Sequence, residues 1–236
     1  MKSEESTSIQ KNNDGPSISI ERPYKPSWID LFNTWVENLP MSVWVFNLLL
    51  GIGLILIHLI FFWWDNNLQT EEIIPIIIFN SLAIPYLLVF IYLLDKQALH
   101  ALKTMRPVLD MAEEDYAVFE YRLSTMPFLA PLLAGSLIMI TTILLPTVTI
   151  SPARYAVLEQ LPTFKVVFHI LDKSSAFLFG VLILHTIRQL RLVNQINKRV
   201  THINLFQLSP LQAFSRLTGS TATVSYTHLR AHETND

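Results

Sequence analysis

Five side chains in or beside the most apolar stretches of this sequence have types and spacings that can do chemistry: His58, Asn80, His169, Asp172 and Lys173. An imidazole exchanges protons near neutral pH and ligates metals. Ionisable groups at membrane depth are costly to bury and are functional candidates for that reason. His169 and Asp172 are spaced i, i+3, and His169 and Lys173 i, i+4, so on a helix either charge reaches the imidazole. Three readings are open. The set can relay protons or ions in a transporter. His58 and His169 can act as axial ligands to a haem held between two helices. In the third, Asp172 and Lys173 pair locally or face water, and the histidines are hydrogen-bonded residues of a helix bundle.

The elements that would position these groups are membrane spans. Met41 to Trp64 is 24 residues without a formal charge, about 36 Å of helix, enough to cross a bilayer. Residues 73–94 and 127–150 form two more uncharged runs. A fourth, 166–187, carries Asp172 and Lys173 inside it, and an isolated charge at a helix centre costs about 2.5–3.5 kcal/mol on insertion scales. The alternative for that segment is a short interfacial helix ending near Lys173, followed by an undersized span. With the first helix running outward and the fourth inward, His58, His169, Asp172 and Lys173 all fall in the outer half, with Asn80 of the second span at similar depth.

Basic residues in the connecting segments set the orientation. Four precede Met41, none lies in 65–72, four lie in 95–126, two in 151–165, and Arg188, Arg191, Lys198 and Arg199 follow Ile187. This alternation places the N-terminus in the cytoplasm, requires the fourth span and makes a cytoplasmic-type membrane the expected location. Trp63 and Trp64 suit the outer aromatic belt, and Trp44 the inner one.

Outside the spans, residues 1–26 are polar and are expected to form a disordered cytoplasmic tail rather than a signal peptide. In 27–40, Trp28, Phe32, Trp35, Val36 and Leu39 share one helical face, with Ser27 as cap and Pro40 as terminator. That helix either lies in the inner headgroup region or packs on the protein's own loop. The 95–126 loop is expected to be a helical hairpin, broken at Arg106 and Pro107. Its second helix starts with a capping-box-like Asp110 and Glu113 and carries Ala112, Tyr116, Phe119 and Leu123 on one face. In 188–223 the fourth span continues as a basic helix with Leu192, Ile196, Val200 and Ile203 as its apolar stripe, and a further helix starts at Ser209 and Pro210.

Composition agrees with a membrane protein: 51% of the 236 residues are hydrophobic, only 15% are charged, and mean hydropathy is positive. With 17 basic against 19 acidic residues there is no basic surface for nucleic acid. The absence of cysteine excludes disulfides, thiolate metal sites and cysteine nucleophiles. No nucleotide-binding, hydrolase or metalloprotease motif occurs, so no catalytic residue, metal site or cofactor is evident.

One remaining pattern imitates a metal site: His228 and His232, four apart, with Glu233 beside them, in VSYTHLRAHET from Val224 to Thr234. All eleven residues match one reading frame of a transposase-type sequencing-library adapter, and the stretch resembles a translated adapter rather than a protein family. The resemblance implies that 224–236 is an artefact and that the native C-terminus is missing.

The expectation is an all-α, polytopic helical membrane protein with about four spans in 41–187. Its partners would be the lipid bilayer and a cytoplasmic partner or output domain reached through the basic helix. The leading function is non-enzymatic sensing or scaffolding. The alternatives are a transporter or channel subunit using the His/Asp/Lys cluster, and a membrane enzyme or haem electron carrier with its site partly in the missing end.

Overall fold

The structure is a computed structural model that describes residues 23–65, 74–109, 111–145 and 159–197. The tail before Pro23, the stripe positions Val200 and Ile203, the helix expected at Ser209 and the adapter-like stretch lie outside the described residues. Among those described, every regular element is helical: α1 (Trp28–Glu37), α2 (Val43–Trp64), α3 (Ile74–Met105), a 3-10 turn (Arg106–Val108), α4 (Glu113–Ser124), α5 (Leu129–Leu144) and α6 (Pro162–Asn197). Three of them, α2, α3 and α6, are long and apolar enough to cross a membrane, and α5 is a shorter apolar helix of 16 residues.

α2 and α3 are antiparallel, as are α5 and α6, while α6 runs parallel to α3 and packs against both α3 and α2. The interior face is built by Leu87, Leu88, Ile91 and Leu94 of α3 with Leu178, Val181 and Leu182 of α6. The outward faces carry Leu48, Leu49, Ile52, Leu56 and Ile60 of α2 and Leu133, Leu137 and Leu144 of α5, all exposed. Lipid solvates such a surface; water does not.

Local sequence explains where the elements begin and end. Ser42 Oγ accepts a hydrogen bond from Val45 N–H at 3.3 Å and opens α2 after Pro40. α3 stops at Met105, and Pro107 sits in the tight turn that follows. α6 opens on Pro162, and Asp65, at the end of α2, accepts from Phe164 N–H at 2.8 Å, so one helix caps another. α6 then continues without a break for 36 residues, through Asp172 and Lys173. This overturns the alternative of a short interfacial helix before a separate span: local pairing of the two charges removes the reason for a break there.

Two expectations about the smaller helices are corrected. On α1 the residues turned into the bundle are Ile29 and Val36, with Trp28 and Phe32 partly covered, while Trp35 is 53% exposed. The packed face is rotated toward Ile29 because the carboxylate of Asp30 is tied to the bundle. On α4, Tyr116, Phe119 and Leu123 are buried as the pattern requires, but the N-cap is Ala112, which is exposed and makes no side-chain cap. Glu113 instead reaches back to Arg106, whose guanidinium lies 4.4 Å from the Tyr116 ring centre. Burial raises the Tyr116 pKa above the ordinary phenol value.

Close contact of α5 and α6 depends on two glycines. A Cβ at Gly180 would stand 2.6 Å from the Ala134 carbonyl and 3.0 Å from Gly135 Cα, whereas one at Gly53 would meet nothing within 4 Å. Small residues let membrane helices approach backbone to backbone. Gly180→Ala is therefore expected to lower the unfolding temperature of the purified protein by several degrees, and Gly53→Ala to leave it unchanged or slightly raised. Thermal unfolding in detergent measures both; equal effects would contradict the packing described.

Candidate functional site

The five residues singled out in the sequence divide into two groups in space. His58 is fully buried, with Nδ1 2.7 Å from Ser81 Oγ and 3.2 Å from the Leu54 carbonyl. Asn80, one residue from Ser81, donates through Nδ2 to the Phe168 carbonyl of α6 at 3.2 Å. The Phe168 ring centroid is 6.5 Å from that of His58 and 5.8 Å from that of the adjacent His169. Phe164 also packs against the His58 ring, at 5.7 Å. On a different side of α6, Lys173 Nζ lies 2.8 Å from Asp172 Oδ2 and 3.3 Å from the Thr142 carbonyl of α5. The first group is a polar seam among α2, α3 and α6; the second is a local ion pair turned toward α5. Among the described residues no three His, Cys, Asp or Glu side chains converge on a common point.

A denser polar network sits at the opposite end of the bundle, where α1, α4 and the start of α5 meet α3 and α6. Its origin is the turn between α4 and α5. Pro127 has no N–H, so the Leu123 carbonyl, four residues back, loses its helical partner. A residue before proline avoids the helical region, and Thr125, the C-cap of α4, is already extended at φ −133°, ψ 133°. Leu123, Thr125 and Met126 are nonetheless buried. Peptide groups stranded in such a place cost about 1–3 kcal/mol each when unpaired, and side chains from elsewhere in the chain pair them.

On α6, His185, Arg188 and Gln189 are spaced i, i+3, i+4 and share one face. Gln189 Nε2 donates to the Leu123 carbonyl at 3.3 Å and to Asp95 Oδ1 of α3 at 3.2 Å. Arg188 donates to the Arg122 carbonyl at 2.6 Å, and also to the Thr125 carbonyl and to the Tyr24 hydroxyl. Tyr24 Oη donates in turn to the Thr125 carbonyl at 2.8 Å, and Tyr121 Oη donates to the Tyr24 carbonyl at 2.7 Å. From α1, Asp30 Oδ2 accepts from Ser27 N–H at 2.8 Å, Ser27 Oγ at 2.7 Å and Met126 N–H at 2.9 Å. His185, fully buried, places Nε2 2.9 Å from Asp95 Oδ1. Burial holds the Tyr24 phenol above its ordinary pKa, against the opposing pull of Arg188, so this hydroxyl stays neutral through the physiological range.

The sequence pattern pointed to Ser27 as a cap, which it is. Arg188 entered there only as one of the basic residues that set the orientation, and Tyr24, Asp30, Asp95, His185 and Gln189 had no assigned role. The signal for Asp95 and His185 was present. His185 is an ionisable residue inside the 166–187 run, and Asp95 ends the 73–94 run. Both runs point the same way, which puts the two side chains at equal depth. Comparison of the chain with protein-family models, with curated proteins and with solved structures gives no match.

The network ranks its members. Arg188→Ala removes three donated hydrogen bonds at once and strands the Arg122 carbonyl, and is expected to cost about 2–4 kcal/mol. Tyr24→Phe removes one hydroxyl and is expected to cost about 1 kcal/mol. Arg188→Lys keeps the charge but not the planar fork and is expected to recover only part of the loss. Reversible unfolding in mixed micelles gives the order; Tyr24→Phe as damaging as Arg188→Ala would contradict it.

Proposed function

We propose that this chain is a non-enzymatic coupling unit of a cytoplasmic-type membrane, relaying a change at one membrane face to a partner or output domain at the other. The observation that carries this reading is α6: a single 36-residue helix, tied near its start, at Phe164, by Asp65 and, at Arg188 and Gln189, by the α4–α5 turn and Asp95. A crossing needs about 20 residues. The remainder of α6 extends past the apolar layer with Leu192, Val193 and Ile196 buried against the rest of the fold. A displacement at the Asp65 end therefore reaches the far end with little loss, since a packed helix moves as a rigid element.

The same reading assigns the membrane sides. The alternation of basic residues supports a cytoplasmic N-terminus, with the polar network on the cytoplasmic side and Asp65 on the outer one. Exposed Trp63 and Trp64 at one end of α2 and exposed Trp44 at the other suit the two headgroup belts. In this frame α1 lies along the inner headgroup layer. Ile29 and Val36 face the bundle; Leu31, 55% exposed, and Trp35 face lipid, and Glu37 meets Lys96 at 2.6 Å.

A second reading draws on the buried His58. In a transporter, His58, Asn80 and Ser81, with His169, Asp172 and Lys173 on α6, would form a polar path at membrane depth. The two readings differ in flux. For coupling, proteoliposomes carrying the protein should pass protons no faster than empty ones, and His58→Ala should change nothing. Proton entry that His58→Ala abolishes would establish transport instead. Because the chain has no cysteine, introduced cysteines report topology cleanly. Asn67→Cys should react with an impermeant maleimide on intact cells and Lys103→Cys only after permeabilisation; the reverse would overturn the orientation.

A further inference from the structure

The polar network contains more negative than positive charge if every group is in its usual neutral-pH form. Asp30, with three donors on one oxygen, is a carboxylate. Asp95, with a side chain only 13% exposed, is the second acid. Its charged neighbours are His185, Asp30, Arg188 and the adjacent Lys96, whose charge is matched by Glu37 at 2.6 Å, so apart from that self-balanced pair Arg188 is the permanent cation set against the two acids. The other basic groups are engaged elsewhere: Lys96 turns outward to Glu37, and Arg122, half-exposed, lies on the Tyr24 side. Tyr24 is neutral and adds nothing. The donors of Arg188 are spent on carbonyls and a hydroxyl, so it balances charge without directly bonding either acid. An uncompensated charge in such a place is expensive, and a proton is the cheapest way to remove it.

We propose that His185 and Asp95 together form one proton-binding site, and that the proton they hold closes the charge balance and sets how firmly the α4–α5 turn is clamped. The two groups are close enough to share a proton. His185 Nε2 and Asp95 Oδ1 are 2.9 Å apart, and the imidazole is fully covered. The approach is off the line of a regular hydrogen bond, and among the described residues neither ring nitrogen has a well-aligned partner. Gln189 holds the same Asp95 oxygen and the Leu123 carbonyl with one amide nitrogen, so a change in the carboxylate is felt directly at the turn. The proton is exchanged with water, and no other bond is made or broken. The site lies at the other end of the bundle from His58, and it holds whether the chain couples or transports.

The sign follows from linkage. The folded protein binds one proton that the unfolded chain holds less tightly, so stability is greatest at low pH and falls as pH rises and the proton leaves. Asp95→Asn removes one acid, and the remaining pair of Asp30 and Arg188 balances with a neutral imidazole. The amide oxygen introduced by that substitution would still accept from Gln189. The experiment is thermal unfolding of the full chain in nanodiscs from about pH 5.5 to about pH 9, the range in which an imidazole-linked proton exchanges. The wild-type unfolding temperature is expected to fall by at least about 2–4 °C more than that of Asp95→Asn over this range. Parallel curves for the two proteins would overturn the proposal.

A second measurement needs no folded variant at position 95. In protein carrying 15N-labelled histidine, the His185 ring signal is identified by its absence from His185→Gln. It is expected to shift with pH in step with the unfolding temperature. A ring signal that stays constant across the same range would also overturn the proposal.

Discussion

Pro127 supplies the constraint on which one end of this fold depends. It denies the Leu123 carbonyl a helical partner and straightens the chain before it, and the turn it creates is nonetheless buried. Peptide groups in such a turn have no water to fall back on, so they must be paired by side chains. Those side chains come from the segment before α1, from α1 and from α6, sites separated by as many as 164 residues. The turn is therefore a junction: any element that leaves it strands a polar group belonging to another.

That junction gives the helices their relative places. Gln189 and Asp95 hold α6 in parallel register with α3, and Asp30 holds α1 against the base of α5. At the far end the hydrogen bond from the Phe164 amide to Asp65, with the Phe62 ring packed on Phe164, ties the end of α2 to the start of α6. Between the two ends the packing is apolar or glycine-mediated, with His58, Ser81 and Asn80, and Lys173 on the Thr142 carbonyl, as polar exceptions. Non-directional contacts allow helices to slide or turn slightly, while hydrogen-bonded ends define where they stop. A long helix with polar stops at both ends suits a relay of small displacements.

Much of the architecture was legible in the sequence because lipid simplifies the pattern. Apolar runs of about 20 residues located α2, α3 and the central part of α6, and the face of α4 followed from its period. The face of α1 came out rotated, since periodicity ranks Trp35 as core while the tether at Asp30 turns Ile29 inward instead. The start of α4 differed because Glu113 is drawn to Arg106, an interaction that depends on how the chain folds back after α3. The five-residue polar cluster was visible as a list of costly residues, and only the packing separates His58 and Asn80 from the Asp172–Lys173 pair. The Arg188 network escaped notice for a related reason: its acceptors are mostly backbone carbonyls, which carry no residue-type signal.

The central claim is that residues around Tyr24 and Asp30, the Arg122–Met126 turn and α6 open and close as one unit. Amide hydrogen exchange of Arg188→Gln against the wild-type protein tests it most directly. The account predicts that amides in residues 27–34 and 122–130 lose protection together, although neither segment carries the substitution, while the buried part of α2 near His58 is unaffected. Loss confined to the α6 turn around residue 188, with both distant segments as protected as before, would contradict it.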